Sequence, residues 1–270
     1  MTTTRVLAVR GELAETRDDT LVGEEPLEIR AVGPGQEPVA VAVTMRTPGS
    51  EVELAVGFLR TEGLIGDHDV AEVTSGDAER LAQPDDTVVV HLRRPFDASV
   101  VAERHFVATA SCGICGKASL DEIAVHCDPI PAGVPIVDRA VILGLPAALR
   151  AAQRVFEATG GLHAAGLFEP DGSLVAVRED VGRHNALDKL VGWAVLGGRM
   201  PLNGQVLLVS GRVSLEIVQK AAVAGIAIVC AVSAPSDLAV EAATRFGQTL
   251  IGFLRGDGFN VYTGAERLRL

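Results

Sequence analysis

Cationic side chains are scarce in this chain: 24 Lys and Arg stand against 35 Asp and Glu, a formal charge of -11 at pH 7. Nucleic acids and anionic membranes are held by surplus Lys and Arg, so the charge argues against a broad electrostatic footprint for either. Local basic loops remain free to bind a phosphate. Long apolar runs are also missing. No stretch approaches the roughly 20 residues that a membrane-spanning helix requires. The opening Met1-Thr2-Thr3-Thr4-Arg5 leads into Asp- and Glu-rich sequence rather than a signal-peptide core. The expectation is a soluble, cytoplasmic protein with neither nucleic acid nor membrane as partner. Cysteine is sparse too, at 4 in 270 residues, which argues against a disulfide framework. There is no internal repeat, low-complexity tract or long linker. The acidic pairs Asp18-Asp19 and Glu24-Glu25 read as solvated loops.

What the chain does have is apolar mass. Hydrophobic residues make up 48% and mean hydropathy is positive, so a large core can be buried. Residues 27–32, 39–47 and 87–94 are rich in β-branched side chains and read as strands, with turn signals such as Gly33-Pro34-Gly35 between them. Ser50-Glu51-Val52-Glu53 has capping-box spacing, which predicts a helix to about residue 64. Further on, a helical stretch over 138–158 is expected to break near Pro146. Segments 162–168 and 173–179 form a predicted hairpin across Pro170-Asp171-Gly172. Helices at 183–196, 213–224 and 237–247 then alternate with strands at 205–209, 226–232 and 249–254. This alternation predicts a mostly parallel sheet covered on both faces. The domain reading is a β-rich α+β module over 1–108, a cysteine loop and connecting helix over 109–137, and an α/β domain over 138–270.

Cys112 and Cys115 stand three apart in Ser111-Cys112-Gly113-Ile114-Cys115-Gly116-Lys117. The thiolate is the attacking form of cysteine, and a nearby cation or helix N-terminus favours it. Lys117 and a helix beginning near Ala118 supply both, while Gly113 and Gly116 leave room for a bulky donor or acceptor. The pair is also half of a common zinc site. No second such pair exists, and the adjacent His126 and Cys127 cannot readily face one metal together. Reactive thiols are therefore preferred, no metal site is expected, and thioredoxin-like redox chemistry is a minor reading.

Ligands of open α/β sheets bind beyond the carboxyl ends of the strands. Four loops meet that description: 178–185, 210–214, 233–236 and 253–258. They carry Arg183, His184, Ser210, Arg212, Ser233, Ser236 and Arg255, residue types suited to a phosphate at helix starts. Ser233 and Ser236 serve equally well as ordinary N-caps. Thr159-Gly160-Gly161-Leu162-His163-Ala164-Ala165 is similar to the zinc-ligand motif of nucleobase deaminases, but Ala165 occupies the place of the general acid-base Glu. Hydrolytic deamination is not expected, and a structural role is favoured for His163.

Taken together, the cysteine segment through Ser119, the segment 159–165, the run Glu179-Asp180-Val181-Gly182-Arg183-His184-Asn185-Ala186-Leu187-Asp188-Lys189, the tripeptide Ser210-Gly211-Arg212 and the run Asn260-Val261-Tyr262-Thr263 resemble the formate dehydrogenase accessory sulfurtransferases, the FdhD family. The resemblance covers most of the chain. It implies a cytidine-deaminase-like three-layer α/β fold and a homodimer. It also implies a sulfur carrier that takes persulfide sulfur from a cysteine desulfurase. The sulfur would go to the bis-molybdopterin guanine dinucleotide cargo, with guanine nucleotide as a mimic, before the cofactor enters formate dehydrogenase. On that resemblance Cys112 carries the persulfide and Cys115 assists. The cofactor-binding stretch falls on Phe253, Leu254, Arg255, Gly256, Asp257 and Gly258, with Arg183, His184, Ser210 and Arg212 as basic or polar lining. The competing expectation is a non-catalytic cofactor-binding chaperone with a structural zinc at the cysteines.

Overall fold

The computed structural model describes residues 1–76, 86–104, 130–131 and 134–270. Cys112, Cys115, Lys117, His126 and Cys127 lie outside the described residues.

Two strands, β1 (Thr2–Arg10) and β2 (Leu13–Leu21), form a separate antiparallel hairpin. Asp18 and Asp19 therefore sit on a strand rather than in a loop: Asp18 lies opposite Arg5 and accepts a hydrogen bond from it. The sequence signal fails because little of this hairpin is buried, so its polar composition resembles that of a loop. Next come β3 (Glu25–Val32), β4 (Val39–Arg46), helix α1 (Glu51–Thr61), β5 (Val70–Ser75) and β6 (Thr87–Leu92), giving a sheet of order β4-β3-β6-β5. Helix α1 forms as expected but without the capping box. Ser50 is left-handed (φ 63°) with no side-chain cap, and the Glu53 carboxylate instead holds Arg178. A short α2 (Ser99–Arg104) follows.

The second half begins with β7 (Val137–Asp138), α3 (Arg139–Ala152) and α4 (Arg154–Thr159). Pro146 does not break α3; the interruption comes at Gln153. The hairpin β8 (His163–Phe168) and β9 (Leu174–Asp180) leads into α5 (Arg183–Leu196), β10 (Val206–Val209), α6 (Leu215–Val223), β11 (Ile228–Ala231), α7 (Asp237–Phe246), β12 (Thr249–Arg255) and β13 (Gly258–Thr263). Strand β14 (Leu268–Arg269) pairs with β7. The main sheet runs β13-β12-β11-β10-β8-β9. Only the pairings β10–β11 and β11–β12 are parallel; the other three are antiparallel. The expected mostly parallel sheet is thus a mixed one. Two hairpins at its flanks supply the antiparallel neighbours: β8–β9, as expected, and β12–β13, which the alternation of helix and strand does not reveal.

Period-2 alternation assigns each central strand to two cores. Leu207, Val209, Val229 and Ala231 face α5, α6 and α7, while Val206, Leu208, Ile228 and Cys230 face α3. The first of these cores continues through α1 into Leu27, Ile29, Val88 and Val90 of the N-terminal sheet. The layers are therefore sheet, helices, sheet and helix, the N-terminal sheet adding one layer to the three expected. Among the described residues no helix is long and apolar enough to cross a membrane.

Candidate functional site

Because β10, β11 and β12 are parallel, their carboxyl ends share one edge of the sheet, and antiparallel β8 starts there. That edge carries His163, the loop Ser210-Gly211-Arg212, the loop at 232–236, and Phe253 onward. Hydrogen bonds knit it together. Ser210 Oγ accepts from Ala164 N (2.9 Å), Ser210 N donates to Ala164 O (3.0 Å), and Phe253 N donates to Ser233 O (3.0 Å). Ser236 Oγ accepts from Ala239 N, so this serine caps α7.

A cavity of about 750 Å³ opens between this edge and helices α3 and α4. Pro146, Leu149, Phe156, Leu162 and Val232 make its apolar wall; Arg150, Gln153, His163 and Ser210 make its polar one. Among the described residues no carboxylate lines it, although acidic residues outnumber cations across the chain. Several polar groups are left over. Gln153 is 5% exposed and its side-chain amide makes no hydrogen bond among the described residues. Neither ring nitrogen of His163 has a partner there, and Arg183 Nε is buried without one. A buried unsatisfied donor beside a concavity lined by Arg150, Gln153 and His163 marks a place for a polar ligand. Burial, then the positive Arg183 and His184, push the His163 pKa below the usual histidine range, against a smaller opposing pull from Asp180.

The predicted residues divide sharply. Ser210 lines the cavity, and Arg183 lies beside it, its Cδ near the Gly211 backbone that also approaches the His163 ring. His184 is committed to Glu216 (2.7 Å) and Ser214 (3.2 Å), and that hydrogen bond holds the Glu216 carboxyl below its usual pKa. Arg212 and Arg255 are exposed; Arg255 stacks over the Phe253 ring at 5.6 Å. Leu254 is fully buried in the core and has no side chain to offer a ligand. Gly256, Asp257 and Gly258 are exposed at the β12–β13 turn.

The rest of the motif at 179–189 builds the frame. Glu179 accepts from Val155 N (3.0 Å) and Phe156 N (2.8 Å), which fixes the start of α4 against the cavity. Asp180 is fully buried and binds Lys189 Nζ (2.7 Å), Thr47 N and Gly182 N. Sequence reasoning missed Arg150, Gln153 and Phe156. The spacing of Pro146, Leu149, Arg150 and Gln153 along a single helical face is a signal that could have found the first two.

Phe253 has φ 53°, a left-handed backbone that a bulky residue seldom adopts. Such strain costs about 1–2 kcal/mol in a non-glycine residue. Phe253→Gly is therefore expected to be more stable than Phe253→Ala by about 1 kcal/mol, since both lose the ring but only glycine relieves the backbone. Paired urea titrations check this, and a more stable alanine variant would contradict it.

Fold and site define a mixed α/β protein with a crevice at the carboxyl edge of its main sheet that is lined, among the described residues, by cationic, neutral polar and apolar side chains. Residues 22–269 match the FdhD/NarQ family, and the chain belongs to it. A protein of Nocardia farcinica named sulfur carrier protein FdhD is 52% identical over 257 residues, covering 94% of this chain and 89% of that one. Proteins of the same name from Mycolicibacterium paratuberculosis and Sulfurisphaera tokodaii are 50% and 42% identical, each alignment covering 98% of this chain and 97% of the relative. A crystal structure described as a formate dehydrogenase accessory protein, from Desulfotalea psychrophila, shares the fold. Its TM-score is 0.75 at 24% identity, over 99% of both chains.

Proposed function

We propose that this chain is a cytoplasmic sulfur carrier acting through a persulfide on Cys112, in the service of formate dehydrogenase. Relatives named sulfur carrier proteins support the general activity, and the cavity supports the identity of the cargo. The carrying observation is that crevice: Arg150, Gln153 and His163 line it, Arg183 Nε stands unpartnered beside it, and no carboxylate among the described residues lines it, which suits a phosphate-bearing ligand such as bis-molybdopterin guanine dinucleotide. In acceptance, the Cys112 thiolate attacks the outer sulfur of a desulfurase persulfide. A new S–S bond forms on Cys112, and the desulfurase thiolate leaves. Cys115 is the second thiol, and Lys117 steadies the thiolate charge. In delivery, the chain's residues hold the phosphates while the persulfide S–S bond breaks, Cys112 leaves as its thiolate, and the outer sulfur passes to the cargo metal, whose own two-electron oxidation brings that sulfur to the sulfide level. The strand order β9-β8-β10-β11-β12, a hairpin beside three parallel strands, supports kinship with the deaminase fold.

Incubation with a cysteine desulfurase and cysteine is expected to add one reductant-labile sulfur to the protein by intact mass. Cys112→Ala is expected to lose it entirely. Undiminished persulfide in that variant, or stoichiometric zinc in the purified protein, overturns the assignment.

A homodimer belongs to the same reading. The β1–β2 hairpin exposes Leu7, Val9 and Leu13, and an isolated two-stranded hairpin is marginal in water unless something covers it.

A further inference from the structure

We propose that His163 is a phosphate-binding group of the cavity and takes up a proton when a phosphate enters, making ligand capture tighter at lower pH. The inference rests on the reading of the crevice as a phosphate-ligand site, and adds to it a residue and a linked proton.

The geometry carries it. His163 opens β8 at the mouth of the crevice, half-buried, with both ring nitrogens unpartnered among the described residues. A Cβ on Gly211 would stand 3.2 Å from its Nδ1, so only glycine there leaves the ring this close to the neighbouring backbone. The groups around it are mostly cationic or neutral. Helix α5 contributes Arg183 and His184, α3 contributes Arg150 to the same cavity, and the end of β10 contributes Ser210. One carboxylate, Asp180 at the end of β9, faces the ring, but Lys189 at 2.7 Å and three further hydrogen-bond donors already engage it. Glu216 is likewise engaged by His184.

Without a phosphate this surrounding favours the neutral ring, because burial first, and then the neighbouring Arg183 and His184, oppose another charge. A phosphate reverses the sign of the local field. It pairs with Arg183 and Arg150, removes the repulsion of the ring by Arg183 and offers an oxygen to a ring N–H. The pKa of His163 is then higher bound than free, so between the two values binding takes a proton from solvent. The sign follows from linkage: affinity increases as pH falls through the bound pKa and levels off below the free one. With one linked proton the limit is about tenfold per pH unit.

Calorimetric titration of the full-length protein with GDP, and separately with inorganic pyrophosphate, tests this at several pH values between about 6 and 8.5, in buffers of different ionisation enthalpy. The phosphates of GDP titrate as well, so His163→Gln isolates the contribution of the ring. The wild-type protein is expected to take up more protons than His163→Gln and to lose affinity more steeply with rising pH. His163→Gln is expected to bind weakly at every pH, near the wild-type value at the highest. Unfolding followed by Trp193 fluorescence confirms that the variant is folded; if it is not, His163→Asn replaces it. Equal proton uptake by wild type and variant overturns the proposal. So does failure of both GDP and pyrophosphate to bind. Neither result touches the persulfide on Cys112, which is read by mass, so the two readings fail separately.

Discussion

Gly192→Ala is expected to lower stability by about 2 kcal/mol or more, read as a fall in the urea midpoint followed by Trp193 fluorescence. Helices α1 and α5 meet at Gly57 and Gly192. A Cβ on Gly192 would lie 1.8 Å from the Glu53 carbonyl oxygen, and one on Gly57 would lie 1.8 Å from that of Asp188. Both obstacles are backbone, so neither can swing aside as a flexible side chain would. The helices must part, and parting them opens the core they share with both sheets. Alanine gains up to about 1 kcal/mol over glycine in helix propensity. Overpacking against rigid neighbours costs about 3 kcal/mol, so the clash wins. Gly57→Ala shifts the midpoint the same way. The double variant costs less than the sum of the two, because helices already forced apart accommodate the second methyl. An unchanged midpoint in either single variant contradicts this account.

Lys220→Met is expected to cost about 3–5 kcal/mol by the same measurement. Lys220 is buried among helices. Its ammonium donates to Asp188 (3.0 and 3.1 Å), Glu62 (2.8 Å) and Thr61 (2.9 Å), and lies 5.3 Å from the Phe58 ring centroid. The two carboxylates hold the Lys220 pKa well above the ordinary lysine value despite burial. Burial itself pushes Asp188 above the usual carboxylate range. Without Lys220, Asp188 keeps, among the described residues, the Thr61 hydroxyl at 2.7 Å as its side-chain donor and must either stay charged in the core or bind a proton. Replacing both, as Asp188→Leu with Lys220→Met, removes the stranded charge and is expected to recover most of the loss. A double variant no more stable than Lys220→Met would show that the cost came from packing rather than from an unpaired charge.

The second prediction touches a residue of a recognised motif, Asp188. Asp188 and Lys189 belong to the run that resembles the family's functional segment, yet Asp188 braces three helices and Lys189 anchors Asp180 beneath the loop. Only Arg183, at the start of that run, reaches the crevice neighbourhood with a free donor.

Local physics alone determined a good deal. Helix α5 spans the residues that its apolar pattern predicts, and the hairpin β8–β9 turns at Pro170-Asp171-Gly172 because those residues favour a turn whatever surrounds them. Short-range alternation also placed the loops of Ser210 and Ser233 at strand ends, whereas the loop expected from Phe253 begins only after Arg255, because β12 runs through Phe253 and Leu254. Tertiary structure decided everything that depends on which neighbour a face meets. It set the antiparallel β12–β13 hairpin on one flank of the sheet, made a strand of Asp18-Asp19, and kept α3 unbroken at Pro146. It also turned Leu254 inward, and brought Arg150 and Gln153 across from a helix to His163 and Ser210. The reason is range. Turn and helix preferences are written within a few consecutive residues, whereas a cavity exists only after segments far apart in sequence have packed, and no single segment records the contacts that its partner will supply.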